Sequence, residues 1–580
     1  MKKNVLFFAI FLLGANLFAQ DYELSNRLIH KFETSKQKAL TKSATIADRL
    51  WLTPILKEAV INWDVLTDEA KNLFKGYRNR PTFTGTEEIV TYGNFAFHYT
   101  TDGPADESVD PTDNDGNNIP DYVDFMAEAF VDEIYELYHT TTGLTVPPAD
   151  GTNGGDALYD VYISGYEAGE GTYGWVMAES EIGDNPNSTN LTEVDAYTSF
   201  MIMRNNYTDF SGTEAACIRV TAAHEYMHAV QDGYTGSMDF WFAEVGATWA
   251  EEFAYPGYDD NFQYLMGIFG TPDVALNLED GEAPEHDGHW YSSFLFAQYM
   301  TEQTNNSIMK NIYERCIDYY AVDAIDAELS EKWNSSLYEM FFQFVIANVL
   351  MTDEAAFAPY TYNRAADYMA HVENNGGFKY ENQSNPFLYT GTNLTWNSKT
   401  NGNDRLMRLS ADYFMFESNS NFKITFSPVD PNGEVILVVL KASTSAVEFA
   451  LMNENGSVNV TDNESWDYIV PIVIRGDKNV ANTNAYDYNL LITAADPVSV
   501  SNNIISDVNI YPNPASDFIL VSSNNTDVES YEIVDVTGKV VLSNGLINSK
   551  INVSSLDKGL YFINIFVNSN VAKTEKLIIY

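Results

Sequence analysis

The sequence has 580 residues, a formal net charge of −50 at pH 7 and 45% hydrophobic residues. The apolar content excludes a wholly disordered or collagen-like chain, and the length predicts several domains of roughly 150 residues each. The acidity argues against nucleic acid as a partner, because an acidic surface repels phosphate backbones. Only Cys217 and Cys316 are present, which leaves one disulfide or two free thiols as alternatives.

The first 19 residues have the pattern of a secretory signal peptide. Lys2 and Lys3 precede an apolar run from Val5 to Leu13, and the segment ends at Ala19. A basic start, an apolar centre and a small residue at the cleavage point are the marks of such signals. No later apolar run reaches the length of a membrane span, so no transmembrane segment is expected after signal removal.

Residues 20–85 carry helical spacing, with Ile46 and Leu50 in one stretch and Leu66 and Ala70 in another. We interpret this N-terminal helical segment as a possible propeptide. The alternatives that it forms the first helices of the following domain, or a linker, stay open.

Residues 86–376 mix strand and helix patterns, which predicts an α+β domain. Strands are expected within 88–99, around a turn at Gly93, and at Leu158–Ile163. Helices are expected at 121–138, 213–232, 239–254, 290–303 and 330–350.

Short strands separated by polar turns follow, and they predict a β-sandwich domain at 380–496. The expected strands include Arg405–Leu409 and Ile469–Ile474, and Pro471 suggests that the second is an edge strand. A linker near 501–503 separates a last all-β domain at 505–580. The fold class is therefore multidomain, an α+β domain followed by two β domains.

The strongest motif is His224-Glu225-Tyr226-Met227-His228. On a helix, residues i and i+4 lie on one face, so two imidazoles can reach one Zn²⁺. Glu225 lies one residue further round the helix and can take a proton from the water that the metal activates. This spacing predicts a zinc site of His224 and His228 with Glu225 as the catalytic base.

A catalytic zinc needs a third protein ligand, and the downstream segment from Trp241 to Glu252 offers Glu244. Gly246 and Ala247 are small, so this helix can approach the first one closely. Thr248 and Glu251 share the helix face of Glu244 and can orient the ligands. Glu251 or Glu252 stays open as an alternative ligand.

These two motifs together resemble the gluzincin group of zinc metallopeptidases. The resemblance covers residues 90–375, with Val245 as a departure from the usual Glu-Gly pair. It implies a zincin-like fold, Glu244 as third ligand, and a downstream Tyr or His that stabilises the oxyanion. Tyr291 matches that position best, and His289 is the second choice within the cluster of His286, His289 and Tyr291.

A second metal motif lies at residues 113–124, whose oxygens occupy the ligand positions of an EF-hand-type calcium loop. The expected ligands are Asp113, Asp115, Asn117, Ile119, Asp121 and Asp124. Asn118 stands where glycine is usual, but asparagine tolerates left-handed backbone. The loop resembles those of thrombospondin type-3-like repeats, and we interpret it as a structural Ca²⁺ site, with a solvated acidic turn as the alternative.

The segment Asn509-Ile510-Tyr511-Pro512-Asn513-Pro514 and the later Gly559-Leu560-Tyr561 closely resemble the C-terminal sorting domain of type IX (Por) secretion cargo. This resemblance implies a small Ig-like domain that interacts with the type IX secretion machinery. It also implies export across the outer membrane, followed by release or anchoring at the cell surface.

The sequence thus predicts a secreted zinc metallopeptidase that hydrolyses peptide bonds of a polypeptide substrate, with catalytic Zn²⁺ and structural Ca²⁺. Two alternatives stay open. One is a non-enzymatic cell-surface binding protein with a degenerate zincin domain, and the other is a zinc hydrolase of a non-peptide bond.

Overall fold

The chain forms two compact units, Met1–Tyr264 with Met309–Ala321, and Leu265–Ile308 with Val322–Tyr580. The computed structural model describes residues 22–33 and 52–579 except for 166–172, 209, 211, 280–281, 284–285, 287, 402–405, 418–419, 430–433, 454, 478–485, 497–507, 514, 523–527, 536–537, 546–549 and 568–569. The predicted signal peptide, the helical stretch around Ile46 and the linker near 501–503 lie outside the described residues.

The first unit opens with three helices, α1 at 22–33, α2 (Leu52–Ile61) and α3 (Asp68–Arg78). The Thr67 hydroxyl accepts a hydrogen bond from the Ala70 amide and so caps α3. Acidic residues occupy the first turn of α3 and basic residues its last turn, as the helix dipole favours.

A five-stranded sheet forms the centre of this unit, in the order β1-β2-β3-β5-β4. Its strands are β1 (Glu88–Tyr92), β2 (Phe95–Tyr99), β3 (Tyr159–Ile163), β4 (Gly174–Gly183) and β5 (Ala196–Met203). The predicted hairpin at 88–99 and the predicted strand at 158–163 are confirmed. Strand β4 pairs antiparallel with β5 and lies at one edge of the sheet.

Helices cover both faces of this sheet. Trp175 and Met177 of β4 share a core with residues of α1, α2 and α3. Because side chains alternate across a strand, the residues between them face the other side. There β4 and β5 contact α5 (Glu214–Asp232), which is followed by α6 (Phe240–Ala254). Helix α5, which carries the predicted zinc ligands His224 and His228, therefore packs between the sheet and α6.

The predicted helix at 121–138 is present as α4 (Asp121–Glu128), which continues as a π-helix over Ala129–Thr141. The predicted helix at 330–350 is wrong as a single element. It is divided into α11 (Ala321–Lys332) and α12 (Leu337–Leu350) because Asn334 adopts a positive φ of 52° and the Ser336 hydroxyl caps α12.

The remaining helices are α7 (Leu265–Gly270), α8 (His289–Ser292), α9 (Phe294–Gln303), α10 (Ile308–Cys316), α13 (Ala365–Asn374) and α14 (Ser398–Asn401). Single 3₁₀ turns occur at Trp63–Val65, Asn153–Gly155, Asp260–Tyr264, Ala355–Phe357 and Asn463–Ser465.

Two four-stranded sheets in the second unit enclose one apolar core, as a β-sandwich requires. One has the order β10-β9-β12-β7 and the other β11-β8-β13-β6. The strands are β6 (Leu394–Asn397), β7 (Ser410–Tyr413), β8 (Phe422–Pro428), β9 (Val435–Ala442), β10 (Val447–Leu451), β11 (Ser457–Val460), β12 (Tyr468–Arg475) and β13 (Tyr488–Ala494).

Two details of the sandwich differ from the sequence prediction. Residues 406–409 form no named strand, and the strand begins only at Ser410. Strand β12 is internal rather than an edge strand. The Pro471 carbonyl faces β7, and in an antiparallel sheet the N–H of the same residue would point the same way. The register with β7 starts only at the next residue, Ile472, so the absent N–H of Pro471 removes no hydrogen bond of that register.

The C-terminal region is all-β, as predicted. Sheets β14-β15-β18 and β17-β16-β19-β20 contribute residues to one core. The strands are β14 (Asn509–Tyr511), β15 (Phe518–Ser522), β16 (Ser530–Asp535), β17 (Val540–Gly545), β18 (Lys550–Asn552), β19 (Gly559–Val567) and β20 (Asn570–Ile579).

Candidate metal centre

Helices α5 and α6 pack against each other inside the first unit, and nearly every residue of α6 is buried. The Thr213 hydroxyl caps α5 by accepting a hydrogen bond from the Ala216 amide. The close approach depends on Gly246. A Cβ added there would lie 1.8 Å from the Tyr313 hydroxyl oxygen and 2.9 Å from Nε2 of Gln231.

The side chains of His224, His228 and Glu244 converge where the two helices meet, and all three are buried. Nε2 of His224 lies 3.6 Å from Oε2 of Glu244, and Nε2 of His228 lies 3.5 Å from Oε1. Both distances are longer than the usual N–H···O hydrogen bond of about 2.7–3.2 Å. Two ligands bound tetrahedrally at about 2.0–2.1 Å from one zinc are about 3.3 Å apart, which is close to this spacing.

The chemistry of the donor set also fits zinc. Nε2 of His228 is buried and has no hydrogen-bond partner, a costly state that a metal ion would relieve. Two imidazoles and one carboxylate are a donor set of catalytic zinc sites, which keep a fourth position open. The residues present therefore fit the predicted ion.

A second layer of hydrogen bonds orients both imidazoles. Nδ1 of His224 lies 2.7 Å from Oε1 of Glu251, and Nδ1 of His228 lies 3.0 Å from Oε1 of Gln231. The Gln231 amide nitrogen donates in turn to the Ala243 carbonyl and to the Tyr313 hydroxyl. Each ring therefore directs Nε2 toward Glu244, as ligand histidines commonly do.

The geometry favours Glu244 over the two alternative ligands. Glu251 is engaged with Nδ1 of His224, and Glu252 accepts a hydrogen bond from Asn261. Thr248 is fully buried, but its hydroxyl has no hydrogen-bond partner. The predicted role of Thr248 in orienting a metal ligand therefore has no hydrogen bond to support it.

Glu225 lies beside the two histidines and is only 3% exposed. Its Oε2 atom is buried without a hydrogen-bond partner. Burial raises the pKa of Glu225 to about 7, with Glu244 and Glu251 adding to the rise and His224 opposing it. A carboxyl with a pKa near neutrality is suited to accept and return a proton.

The two imidazoles differ in their electrostatic environment. Burial lowers the pKa of His228 to about 4, so its ring is neutral. Burial also lowers the pKa of His224, but the carboxylates of Glu244 and Glu251 outweigh it and raise this pKa well above its ordinary value. Zinc bound at Nε2 would replace this proton, because ligand imidazoles bind metal in their neutral form.

Sequence reasoning missed several residues around the centre. Gln231 follows His228 by one helical turn, so the helix period could have revealed it. Tyr173 precedes β4, and its buried hydroxyl has no hydrogen-bond partner. Asp260 is near enough to His224 for its pKa to respond, although burial dominates and raises that pKa to about 6. No local pattern marks Tyr173 or Asp260.

Tyr291 and His289 belong to the second unit, where both are buried in or beside the short helix α8. Burial lowers the pKa of His289 to about 3. A Cβ on Gly267 would lie 3.5 Å from Nδ1 of His289, so this ring packs against α7. The oxyanion role of Tyr291 stays a prediction.

The carboxylates of the loop at 113–124 accept hydrogen bonds from the loop's own backbone. Asp113 accepts from the amides of Gly116 and Asn118, and Asp115 accepts from the Asn117 amide. Asn118 has a φ of 69°, so it takes the left-handed conformation expected at this position. Among the described residues, the acidic groups close enough to share a metal ion do not include this loop.

Cys217 and Cys316 are both buried and form no disulfide in the structure. The alternative of a disulfide between them is therefore not realised.

Residues 509–580 match the family of secretion system C-terminal sorting domains. No curated protein matches the chain. The described part of the chain contains no helix long and apolar enough to cross a membrane. The sorting domain directs the protein to the type IX secretion machinery, which exports it to the cell surface or the medium.

Proposed function

We propose that this exported chain is a zinc-dependent metallopeptidase. The observation that supports this most directly is the convergence of His224, His228 and Glu244, with donor atoms 3.5 and 3.6 Å apart. Three protein ligands are typical of catalytic sites, whereas structural zinc sites have four. A carboxylate with a raised pKa beside the ligands favours hydrolysis over a purely structural role.

In this proposal His224, His228 and Glu244 hold the zinc ion, which when bound supplies Lewis acidity toward water and the substrate carbonyl. Glu225 accepts the proton of the attacking water at Oε2 and later delivers it to the leaving amine.

Two side chains keep the ligands in position. Glu251 and Gln231 bind the Nδ1 atoms of the two imidazoles and leave both Nε2 atoms available. The loop at 113–124 remains a proposed structural Ca²⁺ site. A bound ion would take the place of the loop amides that now donate hydrogen bonds to its carboxylates.

The experiment measures zinc content and polypeptide hydrolysis for the purified chain and three variants. His228→Ala should lose the zinc, whereas Glu225→Gln should retain it and lose activity by at least about 10²-fold. Glu136→Gln, which changes an exposed carboxylate, should behave like the unchanged protein. Absence of zinc under zinc-replete conditions, or substantial turnover by Glu225→Gln, would refute the proposal.

The substrate panel should also include ester and glycan substrates. Bound zinc with hydrolysis of only these would replace the peptidase by a hydrolase of a non-peptide bond. Bound zinc without hydrolysis of any substrate would favour a binding protein.

A further inference from the structure

A second group of metal-ligating side chains lies in the second unit. Asp273, Glu381 and Asp412 each offer a carboxylate oxygen, and these atoms all lie within 4.8 Å of one another. Asp273 follows α7, Glu381 precedes the sandwich and Asp412 lies on β7. Three segments distant in sequence therefore bring their carboxylates together.

Backbone hydrogen bonds hold the three segments in place. The Met407 amide donates to the Asp273 carbonyl, and the Glu381 amide donates to the Tyr413 carbonyl. The Ala411 amide donates to the Pro272 carbonyl, so the segment before Asp273 runs beside β7. The cluster is thus a fixed part of the fold rather than a chance meeting of mobile surface side chains.

Lys379 and the buried side chain of Asp412 bear on the charge of the cluster. Nζ of Lys379 lies 3.2 Å from Oδ1 of Asp273 and 3.4 Å from Oε1 of Glu381. Asp412 is only 2% exposed, and its Oδ1 has no hydrogen-bond partner, while Oδ2 accepts from the Tyr488 hydroxyl. A buried and unpaired anionic oxygen is costly unless a cation binds it.

We propose that Asp273, Glu381 and Asp412 form a Ca²⁺ site that fastens the segment after α7 to β7 of the sandwich. The donors are all carboxylate oxygens, which favour a hard cation over zinc. Ca²⁺ binds oxygen at about 2.4 Å, so oxygens that all lie within 4.8 Å of one another can reach one ion. Export brings the protein to surroundings where weak Ca²⁺ sites can fill.

The site differs in its residues from the loop at 113–124 and from the zinc ligands, and it rests on neither proposal. Lys379 competes with the ion for the same oxygens.

The test uses the full chain carrying Asp113→Asn and Asp115→Asn, so that the loop does not contribute, with zinc present throughout. Ca²⁺ binding is measured by calorimetry and by the shift of Tm. We expect one Ca²⁺ per chain, weakened at least about tenfold by Asp412→Asn and unchanged by Asp367→Asn, an exposed carboxylate on α13. If Asp412→Asn does not fold, Glu381→Gln replaces it.

Lys379→Met separates a cation site from an ordinary buried ion-pair cluster. Without Ca²⁺ this variant should have a lower Tm, because it leaves carboxylates buried without their ammonium. With Ca²⁺ it should recover, and it should bind the ion more tightly than the parent. No Ca²⁺ binding in the loop variant, binding that is insensitive to Asp412→Asn and Glu381→Gln, or no recovery of Lys379→Met by Ca²⁺ would overturn the proposal.

Discussion

Nδ1 of His224 lies 2.7 Å from Oε1 of Glu251, and both side chains are buried. Glu251 is two helical turns beyond Glu244 on α6, so one face of this helix supplies both a candidate ligand and the group that orients another. The candidate metal centre is therefore stabilised by the packing of two helices as well as by its ligands.

This relationship predicts that Glu251→Gln weakens zinc binding about 10- to 100-fold, because the amide is a poorer acceptor for the imidazole N–H. Zinc affinity is measured by competition with a chelator, and Glu136→Gln serves as the control for loss of one exposed carboxylate. Unchanged affinity in Glu251→Gln would show that the hydrogen bond does not support the centre.

Gly246 gives a second prediction about the same helix pair. Alanine normally stabilises a helix interior relative to glycine, but here its Cβ would meet the Tyr313 hydroxyl at 1.8 Å. Tyr313 is fully buried and cannot move away without disturbing the core, so Gly246→Ala should lose about 1–3 kcal/mol of unfolding free energy and weaken zinc binding.

Gly76 on α3 is the matched control, because a Cβ there would meet nothing within 4 Å. Gly76→Ala should stabilise the protein by about 0.5–1 kcal/mol. Both variants are compared by denaturant unfolding. Equal stability of Gly246→Ala and the unchanged protein would mean that Tyr313 of α10 and Gln231 of α5 can move aside without cost.

The metal helix and its two histidines could be predicted because their spacing is local and follows the helix period. Small residues beside Glu244 indicated close packing of the second helix, but the choice of Glu244 over Glu251 and Glu252 rested on the resemblance to gluzincins. Tyr173 and Asp260 could not, because only the tertiary fold brings them near the centre. The same holds for Asp273, Glu381 and Asp412, which no short motif connects.

The errors have similar physical origins. Pro471 is tolerated inside a sheet because the neighbouring strand ends beside it, which depends on strand order. The stretch at 330–350 contains the end of α11 and the whole of α12, separated by a turn. The turn lies at Asn334, whose positive φ is incompatible with a continuous helix.

His139 predicts how stability changes in weakly acidic solution. Its Nδ1 contacts the Leu144 carbonyl and its Nε2 contacts the Tyr226 hydroxyl, an arrangement that suits the neutral ring. Burial lowers the pKa of His139 to about 4. The unfolded chain takes up this proton near pH 6.5, so the contribution to stability is complete above pH 6.5 and is lost as pH falls toward 4.

The measurement is the unfolding free energy as a function of pH for the unchanged protein and for His139→Gln. Between pH 6.5 and 4 the unfolding free energy of the unchanged protein should fall with a slope that corresponds to up to one proton taken up on unfolding. The variant should lack this contribution to the slope. Parallel curves over this range would contradict the assignment of a neutral, buried His139.

The N-terminal helices bear on whether residues 20–85 are removed. Lys57 of α2 pairs with Asp232 at the end of α5, at 2.5 Å, and Asp232 is buried. Lys57→Met leaves this carboxylate without its cation and should destabilise the protein by about 3–5 kcal/mol. Asp232→Asn in addition should recover much of that loss, and a double-mutant cycle measures the coupling.

Removal of the whole segment should be more damaging than loss of this one pair. Helices α1 to α3 bury Trp175, Met177 and Phe200 on one face of the sheet, and cleavage near residue 85 would expose that face to water. We therefore expect the exported protein to retain these helices, which intact mass and N-terminal sequencing can establish. A chain beginning near residue 86 with unchanged Tm would instead identify the segment as a removable propeptide.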